Sequence, residues 1–178
     1  MTARISPGRR RDTGLLVQAF ARIAGRVTGT EPPAVFLTLG RHRRLFWGWL
    51  IFAGALMPGG RLTRRETELV ILRVGTLSGS DYELEQHRRL GRRAGLSGAE
   101  IERVASGPAD DAWSDGDRLL LEVTDELHAT ADLSDATWSR LRAAYDERRC
   151  IEVVMLVGHY QMLATTLTTL RVRPDRPR

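Results

Sequence analysis

The sequence predicts an all-α protein, and three observations predict it. Apolar residues recur at three-to-four spacing along almost every segment of the 178-residue chain. Helix-start signals of the type Ser/Thr-x-x-Glu recur before them, at Thr63, Ser80 and Ser97. No stretch of useful length alternates apolar and polar residues as a half-buried strand would. With 42% hydrophobic residues, the chain has enough apolar side chains for one compact core.

Residues 1–12 and 173–178, rich in Arg, Pro and Gly, are expected as flexible tails around a single helical domain at 13–172. The segment TGLLVQAFARIAGRV places Leu15, Leu16, Ala19, Phe20 and Ile23 on one helical face. Pro32 and Pro33 precede a short helix, and Arg41 to Met57 forms the next, stopped by Pro58-Gly59-Gly60. Thr63 with Glu66 three residues on opens a helix that runs through ELVILRVGTL to Gly79. Ser80 starts the following helix, which ends at Gly95, and Ser97 with Glu100 opens a short one. Ser114 and Asp117 start DRLLLEVTDELHA, Ser134 or Asp135 starts ATWSRLRAAY, and Arg149 to Leu170 forms a long last helix. No internal repeat stands out.

The net charge of +5 raises nucleic acid as a partner, but all 27 basic residues are arginine, spread from Arg4 to Arg178 and interleaved with acids after Glu66. A phosphate-tracking surface would gather them on one face, so no nucleic-acid partner is expected. The single cysteine, Cys150, has no second thiol for a disulfide or a redox pair, which points to a reducing cytoplasm. No long apolar segment with a small-residue cleavage site follows Arg9-Arg10-Arg11. The run Leu45 to Met57 is thirteen residues long, too short to span a bilayer. No membrane association is expected, and the run reads as a buried helix or, through Phe46, Trp47, Trp49 and Phe52, as an oligomer contact.

Chemistry gathers on two helices. On a wheel of the Asp81 to Gly95 helix, Glu85, Gln86, Arg88, Arg89, Arg92 and Arg93 cover one side, while Leu84, Leu90, Gly91 and Ala94 mark the other. Glu83 and His87 fall on that apolar side, four residues apart and hence neighbours. On the preceding helix Glu68 lies among Ile71, Leu72 and Gly75, while Glu66 and Arg73 take the polar side. The Ser78-Gly79 turn folds the two into a hairpin, so Glu68 faces Glu83 and His87 across the seam. A buried carboxylate costs several kcal/mol unless paired or protonated, so such a cluster carries perturbed proton affinities suited to general acid/base work. Structural readings stand beside this one. Ser80-x-x-Glu83 is itself a capping-box pattern, His87 is a candidate core histidine satisfied by Glu83, and Arg64 stands one turn from Glu68.

The run LTRRETELVILRVGTLSGSDYELEQHRRLGRRAGLSGAEIERV (Leu62 to Val104) resembles the core of the carboxymuconolactone decarboxylase and alkylhydroperoxidase D-like superfamily. The pattern is a helix with a glutamate, a short turn, two special positions three apart, a histidine four later and an AGLS-type cap. The resemblance implies an alkylhydroperoxidase D-like helical fold, trimers or hexamers, and a proton relay through Glu68 and His87. The peroxidase branch carries cysteines at the positions of Ser80 and Glu83. A hydroxyl and a carboxylate cannot cycle through a disulfide, so thiol peroxidase chemistry is disfavoured. The decarboxylase branch resembles this chain in a glutamate at Glu83 and a histidine at His87, whereas it lacks one at Glu68, so the chain mixes both patterns.

The leading expectation is thus a cofactor-independent, lyase-like acid/base enzyme acting on a small lactone or carbonyl acid by decarboxylation or proton transfer. Glu68, Glu83 and His87 are its catalytic candidates; Ser80 and Tyr160 are its substrate-binding candidates. No cofactor and no metal is expected, since no His-x-x-x-His pattern and no glycine-rich phosphate loop occurs. Glu152, His159 and Thr166 recur every seven residues on the last helix and make a narrow polar stripe, read as a hydrated face ahead of the alternative, a pocket lining. His42 and His128 read as surface residues. The alternatives are a non-catalytic helical oligomer that keeps the scaffold, and a residual peroxidase that would need Cys150.

Overall fold

The computed structural model describes residues 2–176. Within them ten α-helices run in the order α1 (Arg10–Thr13), α2 (Leu15–Thr28), α3 (Ala34–Leu39), α4 (Arg43–Leu56), α5 (Arg64–Leu77), α6 (Asp81–Arg93), α7 (Gly98–Arg103), α8 (Asp115–Thr130), α9 (Asp135–Ala144) and α10 (Glu147–Leu170), with a 3-10 turn at Val104–Ala109. No β-strand occurs among the described residues, so the chain is all-α, as its periodicity predicts.

The centre is α5, buried at every position from Thr67 to Gly75. A helix enclosed on all sides needs neighbours on all sides, and α6, α8 and α10 supply them. One side of α5 places Val70, Ile71 and Val74 in a core with Leu120, Val123, Leu156 and Val157. The other places Leu69 and Leu72 against Leu96, Ile101, Trp113 and Leu121. Each such side chain contributes roughly 1.5–3 kcal/mol on burial, which fixes the rotation of α5 about its axis. Thr63 and Glu66 close a reciprocal capping box at its start, as do Ser97 and Glu100 at α7.

Several expectations are corrected here. Arg73 is buried, not on a polar face: its guanidinium donates to both Asp125 oxygens (2.5 and 2.8 Å) and to the carbonyls of Val104 and Ala105. A buried cation with that many acceptors is satisfied where it lies. On α2 the small side buries, through Val17, Ala21 and Gly25, while Leu15, Leu16 and Ile23 are exposed. The reason is close approach: a Cβ on Gly25 would stand 2.8 Å from the Glu31 carbonyl oxygen. The aromatic run of α4 turns largely inward, with Phe46 wholly buried, and leaves Leu45 and Ile51 outside.

The ends are tied down rather than hanging free. Arg4 N–H donates to the Leu170 carbonyl (3.0 Å), Gly8 N–H to that of Leu37 (2.9 Å) and Glu31 N–H to that of Arg176 (3.0 Å). The Asp175 carboxylate accepts from Ala34 N–H (2.8 Å) and the Tyr82 hydroxyl (2.7 Å). These contacts satisfy terminal groups that the helix ends and loops would otherwise leave open. Residues 1, 177 and 178 of the expected tails lie outside the described residues. Finally, α10 is long and apolar enough to cross a bilayer, yet 56% of its apolar window is buried inside the protein.

Candidate active site

Two helices carry the site because α5 and α6 approach closely at Gly75. A Cβ there would meet Leu84 Cδ2 at 3.3 Å and Glu83 Cβ at 3.7 Å, so the glycine lets the C-terminal end of α5 approach the first turn of α6. That inner face is Tyr82, Glu83, His87 and Gly91, all buried.

Glu68 is completely buried and divides its two oxygens. Oε1 accepts from Arg64 Nη2 (2.7 Å), and Oε2 lies 2.6 Å from His87 Nδ1. A carboxylate only accepts, so Nδ1 carries the proton and Nε2 is the nitrogen left for other work. The Tyr160 ring meets the His87 ring edge-on, with centroids 5.2 Å apart. Arg64 therefore does pair with Glu68, as the structural reading had it, but the same carboxylate also orients His87.

Glu83 differs. It is buried at 2% exposure, and neither carboxyl oxygen makes a well-aligned hydrogen bond; the Ser80 hydroxyl, near enough to lower its proton affinity, makes none either. The capping box expected of Ser80-x-x-Glu83 does not form, since Ser80 makes no side-chain cap bond. Burial pushes the Glu83 carboxyl up to about 7, with the nearby Ser80 hydroxyl and His87 pulling the other way too weakly to undo it. Burial, and then the charges of Glu68 and Glu83, push the Tyr160 hydroxyl well above its ordinary range.

Glu83, His87 and Tyr160 line a cavity of ≈ 590 Å³. This is within the usual range for small-molecule sites. Its remaining wall is largely apolar and comes from α2, α3, α4 and α10, including Phe20, Phe36, Trp49 and Leu163. Glu68 and Ser80 do not line it; they stand behind His87 and Glu83. Among the described residues no three His, Cys, Asp or Glu side chains converge to hold a metal ion.

Two residues contribute more than their sequence context indicates. His159, expected on a hydrated stripe, is buried, lines the cavity, and stacks on Trp49 with ring centroids 6.2 Å apart. Burial lowers its imidazole to about 4. The other members of that stripe part company: Glu152 accepts from the Arg61 and Leu62 N–H groups, and Thr166 bonds back to its own helix. Tyr82, held by Asp175, forms another part of the wall. His42 is exposed and caps α4, and His128 is half-buried against Gln161. Cys150 is buried and distant in role, donating weakly to the Leu141 and Tyr145 carbonyls.

Residues 43–126, which contain Glu68, Ser80, Glu83 and His87, match the carboxymuconolactone decarboxylase family. No curated protein matches the chain. Among solved structures, the chain is similar to the alkylhydroperoxidase AhpD core of an uncharacterized peroxidase-related protein from Ralstonia eutropha JMP134 (TM-score 0.86, 18% identity, covering 97% of this chain and 92% of that one). It is similar to a second uncharacterized peroxidase-related protein, from Silicibacter sp. TM1040 (TM-score 0.81, 17% identity, covering 89% and 84%). It is also similar to the debrominase Bmp8, solved in complex with 2,3,4-tribromopyrrole (TM-score 0.80, 14% identity, covering 97% and 92%). At these identities the likeness shows the fold alone, an alkylhydroperoxidase D-like all-α fold, and within it residues 43–126, which carry the α5–α6 hairpin, are those that match the carboxymuconolactone decarboxylase family.

Proposed function

We propose that this protein is a cofactor-independent acid/base enzyme that moves a proton on a small lactone or carbonyl compound. The observation that carries the reading is the Glu83 carboxyl: buried, without a well-aligned hydrogen bond, raised to about 7 and placed at the wall of a ligand-sized cavity beside His87. A structural carboxyl would be paired, as Glu68 is. A carboxyl with proton affinity near the working pH is suited to take a proton from carbon and give it back. Glu83 takes the proton next to the carbonyl, and the electron pair passes to the carbonyl oxygen as an enolate. His87, fixed through Nδ1–H on Glu68, donates to that oxygen from Nε2–H when its ring carries both protons. The peroxidase alternative finds no support, because the only thiol is buried among backbone carbonyls.

Proton exchange tests this without knowledge of the natural substrate. A panel of cyclic ketones and lactones, 2-tetralone first, is incubated with the protein in D₂O and deuterium uptake beside the carbonyl is followed by NMR. Wild type accelerates uptake, and folded Glu83→Gln and His87→Ala variants lose about a hundredfold or more of that acceleration. Unchanged uptake in either variant ends the proposal.

We further propose that the protein is a cytoplasmic homo-oligomer, joined through α10. Ile151, Val154, Met155 and Met162 are exposed along one face of that helix with Gly158 at its middle, a charge-free stripe over several turns. This replaces the aromatic run of α4 as the expected contact.

A further inference from the structure

We propose that the cavity receives an uncharged, ring-sized molecule with one hydrogen-bonding substituent, and that His159 is the residue that selects for that substituent. The inference rests on the acid/base reading of the same cavity and names its substrate class; it departs from the carboxylic acid that the sequence led us to expect.

Charge is the first ground. The chain holds 27 arginines, and none of those among the described residues lines the cavity. The ionisable side chains that do line it are Glu83, His87, His159, Tyr82 and Tyr160. His87 is committed to the Glu68 carboxylate, so that pair offers no free positive charge. An anionic ligand would lose its water and meet no cation. A cationic ligand would meet only Glu83, which burial keeps protonated, and so uncharged, below about 7.

Placement is the second ground. The polar rings form one file along the wall: His87 to Tyr160 at 5.2 Å, Tyr160 to His159 at 5.1 Å, His159 to Trp49 at 6.2 Å. Apolar side chains, among them Phe20, Ile23, Val27 and Phe36, line the cavity beside this file. A molecule with an apolar body and one polar edge satisfies both.

His159 is the third ground. It is 95% buried on the figure of 5% exposure, its Nδ1 has no partner, and no carboxylate holds it as Glu68 holds His87. Burial keeps it neutral, and a neutral imidazole has one donor and one acceptor nitrogen, so it can meet a hydroxyl or a carbonyl. A side chain placed only for packing would be served better by phenylalanine, since buried polar atoms without partners are costly.

Four probes of one shape test the inference by titration calorimetry on the full chain at pH 6, where Glu83 holds its proton: 2-naphthol, 2-methylnaphthalene, 2-naphthoate and 2-naphthylmethylammonium. We expect 2-naphthol to bind about tenfold more tightly than 2-methylnaphthalene, the worth of one good hydrogen bond. Both ions should bind at least about a hundredfold more weakly than 2-naphthol. In His159→Phe, 2-naphthol should fall to the level of 2-methylnaphthalene, whose own affinity holds; His159→Gln should keep part of the preference. Either ion binding as well as 2-naphthol overturns the charge argument, and so does binding of none of the four. A naphthol preference that survives His159→Phe overturns the role of His159; if that variant does not fold, a preference lost in His159→Gln, with its hydrogen-bonding capacity kept, does the same. Glu83→Gln should abolish proton exchange and leave the order of the four affinities intact, so the two proposals fail separately.

Discussion

Replacing Glu83 by glutamine should make the protein more stable above neutral pH and inactive at every pH. The Glu83 carboxyl rises from an ordinary 4.5 to about 7 through burial. Between those values the native state holds a proton that the unfolded chain has released. The stabilisation linked to that proton is therefore fully present below 4.5 and lost as pH rises through about 7. A shift of this size corresponds to about 3 kcal/mol. Glutamine is close to the same shape, uncharged throughout, and breaks no cap, because Ser80 and Glu83 form none. At pH 8.5 the variant should melt on the order of 6–12 °C above wild type, at about 2–4 °C per kcal/mol for a chain of this size. Near pH 5 the two should melt within about 3 °C of each other. Calorimetric or fluorescence melting of both proteins across that range decides it. A lower melting temperature for the variant at pH 8.5 is what a helix-capping role demands, and a gap that does not change with pH would equally refute the reasoning.

Other consequences follow from the same geometry. Glu68→Gln should slow proton exchange by about tenfold to a hundredfold, because His87 loses the carboxylate that orients it, and leave 2-naphthol binding unchanged, because Glu68 does not line the cavity. Cys150→Ser should leave peroxide consumption where it is in wild type, checked by a coupled peroxide assay, since the thiol is buried. Arg73→Met strands the Asp125 carboxylate and two carbonyls, and should cost about 3–5 kcal/mol in denaturant melts. Met155→Arg with Met162→Arg should lower the solution mass measured by light scattering to that of one 19.9 kDa chain, if α10 is the contact between copies.

Nine of the ten helices, and the hairpin that carries the candidate site, are legible in the sequence because they rest on short-range rules; α1, inside the stretch read as a tail, is not. Glu68, Glu83 and His87 were found from spacing alone: positions four apart on α6 share a face whatever packs on it, and α5 is apolar at nearly every other position. What spacing does not give is which apolar face meets the core. On α2 the larger residues looked like the buried side, but close packing is decided by the small ones, and Gly25 pressed against the Glu31 carbonyl sets the helix the other way round. The same limit hid His159. On a helix as apolar all round as α10, a heptad of polar residues reads as a wet stripe until α4 lays Trp49 across it.

Ser80 and Glu83 show where a local rule yields to a tertiary one. Thr63-Glu66, Ser97-Glu100 and Ser80-Glu83 carry the same capping letters, and only the first two caps close. At those two sites the glutamate bonds back to the backbone N–H of its own cap. At α6 the Gly75 contact draws the helix start against α5, the Glu83 side chain turns inward, and its carboxyl gives up the bond that its sequence context offers. Giving up a hydrogen bond worth about 1 kcal/mol to bury a carboxyl without a well-aligned one is a poor exchange for stability. It is a sensible one for a group that must change its proton during a reaction, which is why the failure of this one cap, more than the match of any motif, argues that Glu83 is there to work.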